Sequence, residues 1–354
     1  MKRVRVYQLD GPLPNVALMR VAAHHRRRGD VVELRRAGNR EAVCRDFGEQ
    51  PDLVYASLIF ERTRPVAEEL RRQWPNALIG GTGWTETHTL EDHGIDTLEQ
   101  DYSIYPRYEN SIGFLQRGCR LRCPFCVVPK KEGAMRHEQT VDELWRGGTA
   151  PRRVVLLDND FFGNPEWKRR IEELRDGKFK VAFSQGINAR FLTPETAEAI
   201  ASVDYRANDM KVRRVYTAWD SLGDERRLMR GLEHLRTAGV SPGHVMVYML
   251  IGYWAGETHV DRERRRTKLR EFGAKPYPMP YVRTPELVGY QRWVLGGYDN
   301  GRDPVTWSEW VAAGMNPRKL KRGRHRSLQV PLFDAAPHDR PRRHLKIFDE
   351  GRSE

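Results

Sequence analysis

At 354 residues the chain is long enough for about two domains with real hydrophobic cores, which excludes a peptide or mini-scaffold. Lys and Arg number 61 against 48 Asp and Glu, a net charge of +13, so anionic partners are open from the start. No run approaches the roughly 18 uncharged apolar residues of a membrane span, and four cysteines are too few for a secreted disulfide framework. The N-terminus enters a strand pattern with no apolar leader before it, so a cytoplasmic protein with no membrane partner is expected.

Residues 1–105 alternate short apolar runs with amphipathic segments. Val4–Leu9 reads as a strand, Asn15–Arg28 as a helix stopped by Gly29, and Val31–Leu34 as a second strand. Leu53–Leu58, a helix over Pro65–Trp74 and a strand over Ala77–Ile79 repeat the pattern, ending in Gly80-Gly81-Thr82-Gly83. Strands alternating with helices predict a parallel sheet covered on both faces, a Rossmann-like or flavodoxin-like domain.

A second alternating series follows over 110–282. Its strands are expected at Ile112–Leu115, Val154–Leu157, Lys180–Phe183, Val212–Trp219, Val245–Ile251 and Ala274–Pro280. Helices are expected at Pro165–Arg175, Pro194–Val203 with Thr193 as N-cap, Glu225–Ala238 and Thr258–Glu271. Six strands with their helices are too few for an eight-stranded barrel and suit a partial (β/α)6 one. From 283 to 354 the chain turns Gly-, Trp- and Arg-rich. A short helix carrying Trp307 and Trp310 is expected after Asp303-Pro304, then a basic run in which Met315–Lys346 holds ten Lys and Arg against two Asp. Such a run is a candidate nucleic-acid docking element, though solvated basic tails and packed Trp faces are the commoner outcomes.

Cys119, Cys123 and Cys126 lie within eight residues, in Gly118-Cys119-Arg120-Leu121-Arg122-Cys123-Pro124-Phe125-Cys126. Gly118 permits a tight turn and Pro124 restricts the loop. Three thiolates so spaced serve a soft metal; they can hold three corners of a four-iron cubane and leave the fourth iron open. Zinc needs four ligands, and His137 is the nearby candidate for the fourth. A metal-stabilised, basic nucleic-acid-binding protein without enzymatic activity is the alternative that this pattern leaves open.

The loop resembles the signature of the radical S-adenosylmethionine superfamily, Cys-x3-Cys-x-aromatic-Cys after the first strand of a partial barrel, matched here by Cys119, Cys123, Phe125 and Cys126. Met249-Leu250-Ile251-Gly252-Tyr253-Trp254-Ala255-Gly256-Glu257-Thr258 is similar to that family's fifth-strand motif, where a glycine lets adenine approach the backbone. The resemblance implies a [4Fe-4S] cluster and S-adenosylmethionine, reductively cleaved to a 5′-deoxyadenosyl radical that attacks an unidentified substrate. It also implies an external electron donor of flavodoxin or ferredoxin type. Cofactor contacts are expected at strand ends, from Phe125, Asp158, Asp160, Ser184, Gln185, Arg190, Asp220 and Gly252, with the two Asp as acceptors for a substrate ammonium.

The first domain is similar to cobalamin-binding domains found beside such enzymes. It lacks the Asp-x-His-x-x-Gly signature of a lower axial ligand, because His24, His25, His88 and His93 fall in other spacings, so cobalamin is possible without motif support. A Gly-rich turn after a strand serves phosphate binding or plain packing. Cys44 reads as a buried lone cysteine.

Overall fold

The computed structural model describes residues 1–44 and 50–320, a mixed α/β protein built on parallel sheets. The first unit runs β1 (Arg3–Gln8), α1 (Val16–Arg27), β2 (Val31–Arg36), β3 (Leu53–Ser57), α2 (Arg64–Gln73) and β4 (Leu78–Gly80). Its strands are parallel in the order β2-β1-β3-β4. Alternation along β1 sets the layers. Val4 and Val6 pack with Leu18 and Met19 of α1, while Tyr7 packs with Val66 and Leu70 of α2 in a separate cluster. Asn15 stands just outside the first helix as its N-cap, its side chain accepting from the Leu18 amide at 3.1 Å. Cys44 is exposed, not buried as expected.

The Gly-rich turn after β4 is a packing device. A Cβ at Gly81, where φ is +94°, or at Gly83 would run into the backbone of Leu58 or Phe60. Gly81→Ala is therefore expected to destabilise the protein by about 1–3 kcal/mol, through overpacking and positive-φ strain together. The denaturant midpoint reads this, and an unshifted midpoint would reject the close approach.

The second unit holds β5 (Ser111–Gly113), β6 (Gln116–Arg117), α3 (Val128–Lys131), β7 (Arg136–His137), α4 (Val141–Leu144), β8 (Arg153–Leu156), α5 (Trp167–Asp176) and β9 (Lys180–Phe183). It continues with α6 (Pro194–Ala201), β10 (Asp204–Tyr205), β11 (Val215–Ala218), α7 (Glu225–Thr237), β12 (Val245–Ile251), α8 (His259–Phe272), β13 (Lys275–Pro280), α9 (Pro285–Leu295) and α10 (Trp307–Ala312). Two parallel sheets form, β10-β9-β8-β5 and β11-β12-β13, each with its strands in chain order. They meet where the Ile187 amide donates to the Tyr216 carbonyl at 2.8 Å, just after Gly186 turns at φ +85°.

One sheet face packs on helices: Val154, Leu156, Val181 and Val247 share a cluster with Leu174, Ile200, Leu232 and Leu269. Ile112, Val155 and Ala182 instead join Val4, Val6 and Leu18, so the two units share one apolar cluster. Met210 enters that cluster at φ +60°, inside a turn closed by the Ala207 amide on the Val212 carbonyl at 2.8 Å. That turn is why β11 starts at Val215 and not at Val212. Strand β13 tolerates Pro276, Pro278 and Pro280 because it is an edge strand, and prolines two apart put all their missing N–H groups on one side.

The segment after Tyr281 departs most from expectation. Helix α9 was not anticipated, and its Tyr290, Trp293 and Val294 belong to the main core together with Trp310. The short Trp helix is capped by Thr306 with Glu309 in a capping box, not by Asp303-Pro304. Trp310 is buried, stacks on Tyr298 at 4.7 Å and donates Nε1–H to the Gly289 carbonyl; Trp307 stacks on His259 at 5.2 Å. These tryptophans close the core and offer no free stacking platform. The basic run beyond Leu320 lies outside the described residues.

Candidate functional site

Strands β6 and β7 pair antiparallel, Gln116 with His137 and Arg117 with Arg136, and the segment they subtend carries all three clustered cysteines. Gly118, at φ +83°, lies too close to the Ala134 carbonyl to admit a Cβ, which pinches the base of the loop. The Cys126 amide donates to the Cys123 carbonyl at 3.0 Å, and the Leu121 amide donates to Cys119 Sγ at 3.4 Å. Each of the three cysteines is half-buried. Burial, then Asp160 and the other two thiols, pushes Cys119 up to about 11, and burial raises Cys126 as well. A bound cationic centre would reverse that balance, since coordination draws the thiol proton off.

Among the described residues, no three His, Cys, Asp or Glu side chains converge on one ion. His137 is exposed on β7, where it acts electrostatically on Glu143 and Glu166. Neither the three cysteines alone nor the four-ligand zinc set of Cys119, Cys123, Cys126 and His137 is therefore gathered as a ready-made site.

The two acids after β8 bind the cysteine loop. Asp158, buried, accepts from the Leu115 and Gln116 amides at 3.2 and 2.8 Å. Asp160, also buried, pairs with Arg120 Nε at 2.9 Å, and its carbonyl accepts from the Gln116 side chain. Arg120 stands between the first two cysteines, so the Asp158-Asn159-Asp160 turn fixes the loop at its entry and in its middle.

Burial pushes Asp158 up to about 7 in spite of its two amide donors. Its folded-state value lies above that of an exposed Asp, so between about pH 4 and 7 the folded chain holds the extra proton. Its contribution to stability accordingly falls as pH rises through that window and is constant above it. Asp158→Asn cannot ionise and is expected to remove this fall, read as the Tm difference between the two proteins from about pH 4 to 8. Parallel Tm curves would reject the assignment.

At the end of β9, Ser184 is buried and its Oγ has no hydrogen-bond partner, whereas Gln185 is exposed. Arg190 is held by Asp224 at 2.7 Å and by Asn188 Oδ1 at 3.0 Å, and it also interacts with the Cys123 thiol. An ion pair and a place beside the cluster loop are thus both true of Arg190. Asp220, after β11, does not cap the next helix, whose N-cap is Asp224. Burial pushes Asp220 up to about 6 against the pull of Arg190 and Arg265, and it also acts on Cys126.

Gly252, ending β12, has φ +74°, and the space that its missing Cβ leaves is taken by Leu287 of α9. On that side the glycine admits a protein side chain, not a flat base. Its amide donates to Glu257 at 2.6 Å, and Glu257 pairs with buried Arg265. Arg265 also donates to the carbonyls of Trp219 and Leu250 at 3.1 and 2.8 Å, tying the ends of β11 and β12 to α8. Phe125 of the cysteine loop meets Tyr253 edge-on at 5.5 Å, and Tyr253 meets Tyr281 at 4.7 Å. The loop and the turn after β12, 128 residues apart at Phe125 and Tyr253, are thus in contact.

Glu257, Arg265, Tyr253 and Tyr281 were not singled out from the sequence. For Arg265 a signal existed: Arg262, Arg265 and Leu269 recur at i, i+3 and i+7 along α8, and all three are buried.

In the first unit, chain order reverses between β1 and β3, where an open α/β sheet offers its crevice. There the Asp10 carboxylate accepts from the Ile59 and Phe60 amides at 2.7 and 2.9 Å. His25 is committed to Asp30 and Tyr55. Both ring nitrogens of His25 are thus taken up within the protein. The chain matches no family model, no curated protein and no solved structure. Among the described residues no helix is long and apolar enough to cross a membrane.

Proposed function

We propose that the chain is a radical S-adenosylmethionine enzyme whose second unit is a partial (β/α)6 barrel and whose first is a Rossmann-like support. The contact of Phe125 with Tyr253 carries the reading, because it joins the Cys-x3-Cys-x-aromatic-Cys loop to the Gly-Glu-Thr turn, which resembles a motif of the same family. The donor types suit the cluster: three thiols on one pinched loop, with Cys123 and Cys126 near enough to raise the proton affinity of Cys119. Cys119, Cys123 and Cys126 would hold three irons of a [4Fe-4S] cluster. The chemistry supplied there would be one-electron reduction of S-adenosylmethionine, with the electron drawn from a flavodoxin- or ferredoxin-type donor, to methionine and a 5′-deoxyadenosyl radical able to remove a hydrogen atom from the substrate.

The remaining residues position and select. Asp158 and Asp160 hold the loop in register with β8. Arg190, beside Cys123, supplies a cation for a carboxylate, and the unpaired Ser184 Oγ and the Asp220 carboxylate offer polar contacts to hydroxyl or ammonium groups. Phe125, Tyr253 and Tyr281 form an aromatic wall that excludes water on the β12 and β13 side. Anaerobic reconstitution with iron and sulfide, followed by incubation with S-adenosylmethionine and dithionite, tests the reading. 5′-Deoxyadenosine is expected, and a zinc-loaded protein that forms none would end it.

A further inference from the structure

Resting on that reading of the site, we infer that its substrate is a single-stranded nucleic acid, with bases stacked on Phe191 and Trp254 and phosphates held by the cysteine loop. Among the described residues, Phe191 and Trp254 are the aromatic members of the exposed large hydrophobic side chains, and both stand at this site. Phe191 has two guanidiniums near its ring, Arg120 at 5.3 Å and Arg190 at 5.9 Å from the centroid. Trp254 donates Nε1–H to the carbonyl of Asp220 and meets Tyr253 at 5.0 Å, so its ring is fixed in place while it remains 40% exposed. Contacts run from Arg120 through Phe191, Arg190, Asp220, Trp254 and Tyr253 to Phe125, and of these residues Arg190 interacts with Cys123 and Asp220 acts on Cys126.

Charge completes the argument. From Arg117 to Lys131 the loop carries five Lys and Arg and no Asp or Glu. Arg117 is offset by Glu132 and Glu138, Arg120 by Asp160, and Lys131 is turned inward onto Thr82 at 2.7 Å. Arg122 and Lys130 are left exposed on the loop. Flat apolar faces held beside cations, with further free cations alongside, match alternating bases and phosphates; an acidic peptide would use the cations and leave the aromatic faces idle. Base stacking is sequence-tolerant, so affinity with little sequence preference is expected.

The test uses the full reconstituted chain and a mixed-sequence single-stranded oligonucleotide of about 12 nucleotides carrying 5-iodouracil, as DNA and as RNA. Photocrosslinks are expected on Phe191 or Trp254. Phe191→Ala and Trp254→Ala are each expected to weaken binding about tenfold, with Trp254→Phe retaining most of it, and Arg122→Ala to lower the salt dependence. Circular dichroism confirms that these surface variants fold. Crosslinks confined to residues beyond 320, with the aromatic variants binding as wild type does, would overturn the inference. 5′-Deoxyadenosine formation by the wild type without oligonucleotide is a separate readout, so the two readings can fail independently.

Discussion

Cys123→Ala is expected to lose both the visible absorbance of the reconstituted cluster and 5′-deoxyadenosine formation. A three-thiolate site has no spare ligand on this loop: His137 lies with Glu143 and Glu166, and Cys44 is exposed on the first unit. The loss should exceed the roughly 10–100-fold typical of removing an outer-shell partner. Asp160→Ala belongs to that lesser class, because it frees Arg120 without removing a donor. Iron content and deoxyadenosine yield, measured on both variants, separate the roles. Cys123→Ala keeping full yield would mean that the loop is not the cluster site, and equal losses in both variants would deny the distinction between ligand and support.

Arg265→Ala is expected to be the most destabilising single change in the second unit, by about 3–5 kcal/mol. The guanidinium is almost fully buried, pairs with Glu257 and donates to the carbonyls that end β11 and β12. Removing it strands a buried carboxylate and two carbonyls, and the desolvation of those groups is no longer offset. Arg265→Met combined with Glu257→Gln should recover part of the loss, since no unpaired charge then remains. Chemical denaturation with an unchanged m-value measures both. A single-variant loss below about 1 kcal/mol would show that the pair does not hold the strand ends together.

The alternation of strands and helices was legible because parallel strands buried on both faces read as short apolar runs, and β9 and β12 fall where the runs lie. Helix α9 escaped because Gly289, Tyr290 and Trp293 blur its apolar stripe, and only packing against the core makes that face informative. The β6–β7 ribbon escaped because two-residue strands carry no period at all.

The sequence by itself determined the three thiols, their spacing and the parallel α/β framework, since local spacing and periodicity are written along the chain. Tertiary structure alone decided what the polar groups are for. Asp158 and Asp160 meet the cysteine loop, Gly252 meets Leu287, and Trp310 lies in the core. A carboxylate, a glycine or an indole reads the same in sequence whichever neighbour it meets. The neighbour, brought from 40 or more positions away as Asp158 is to Leu115, sets whether it binds, supports or packs.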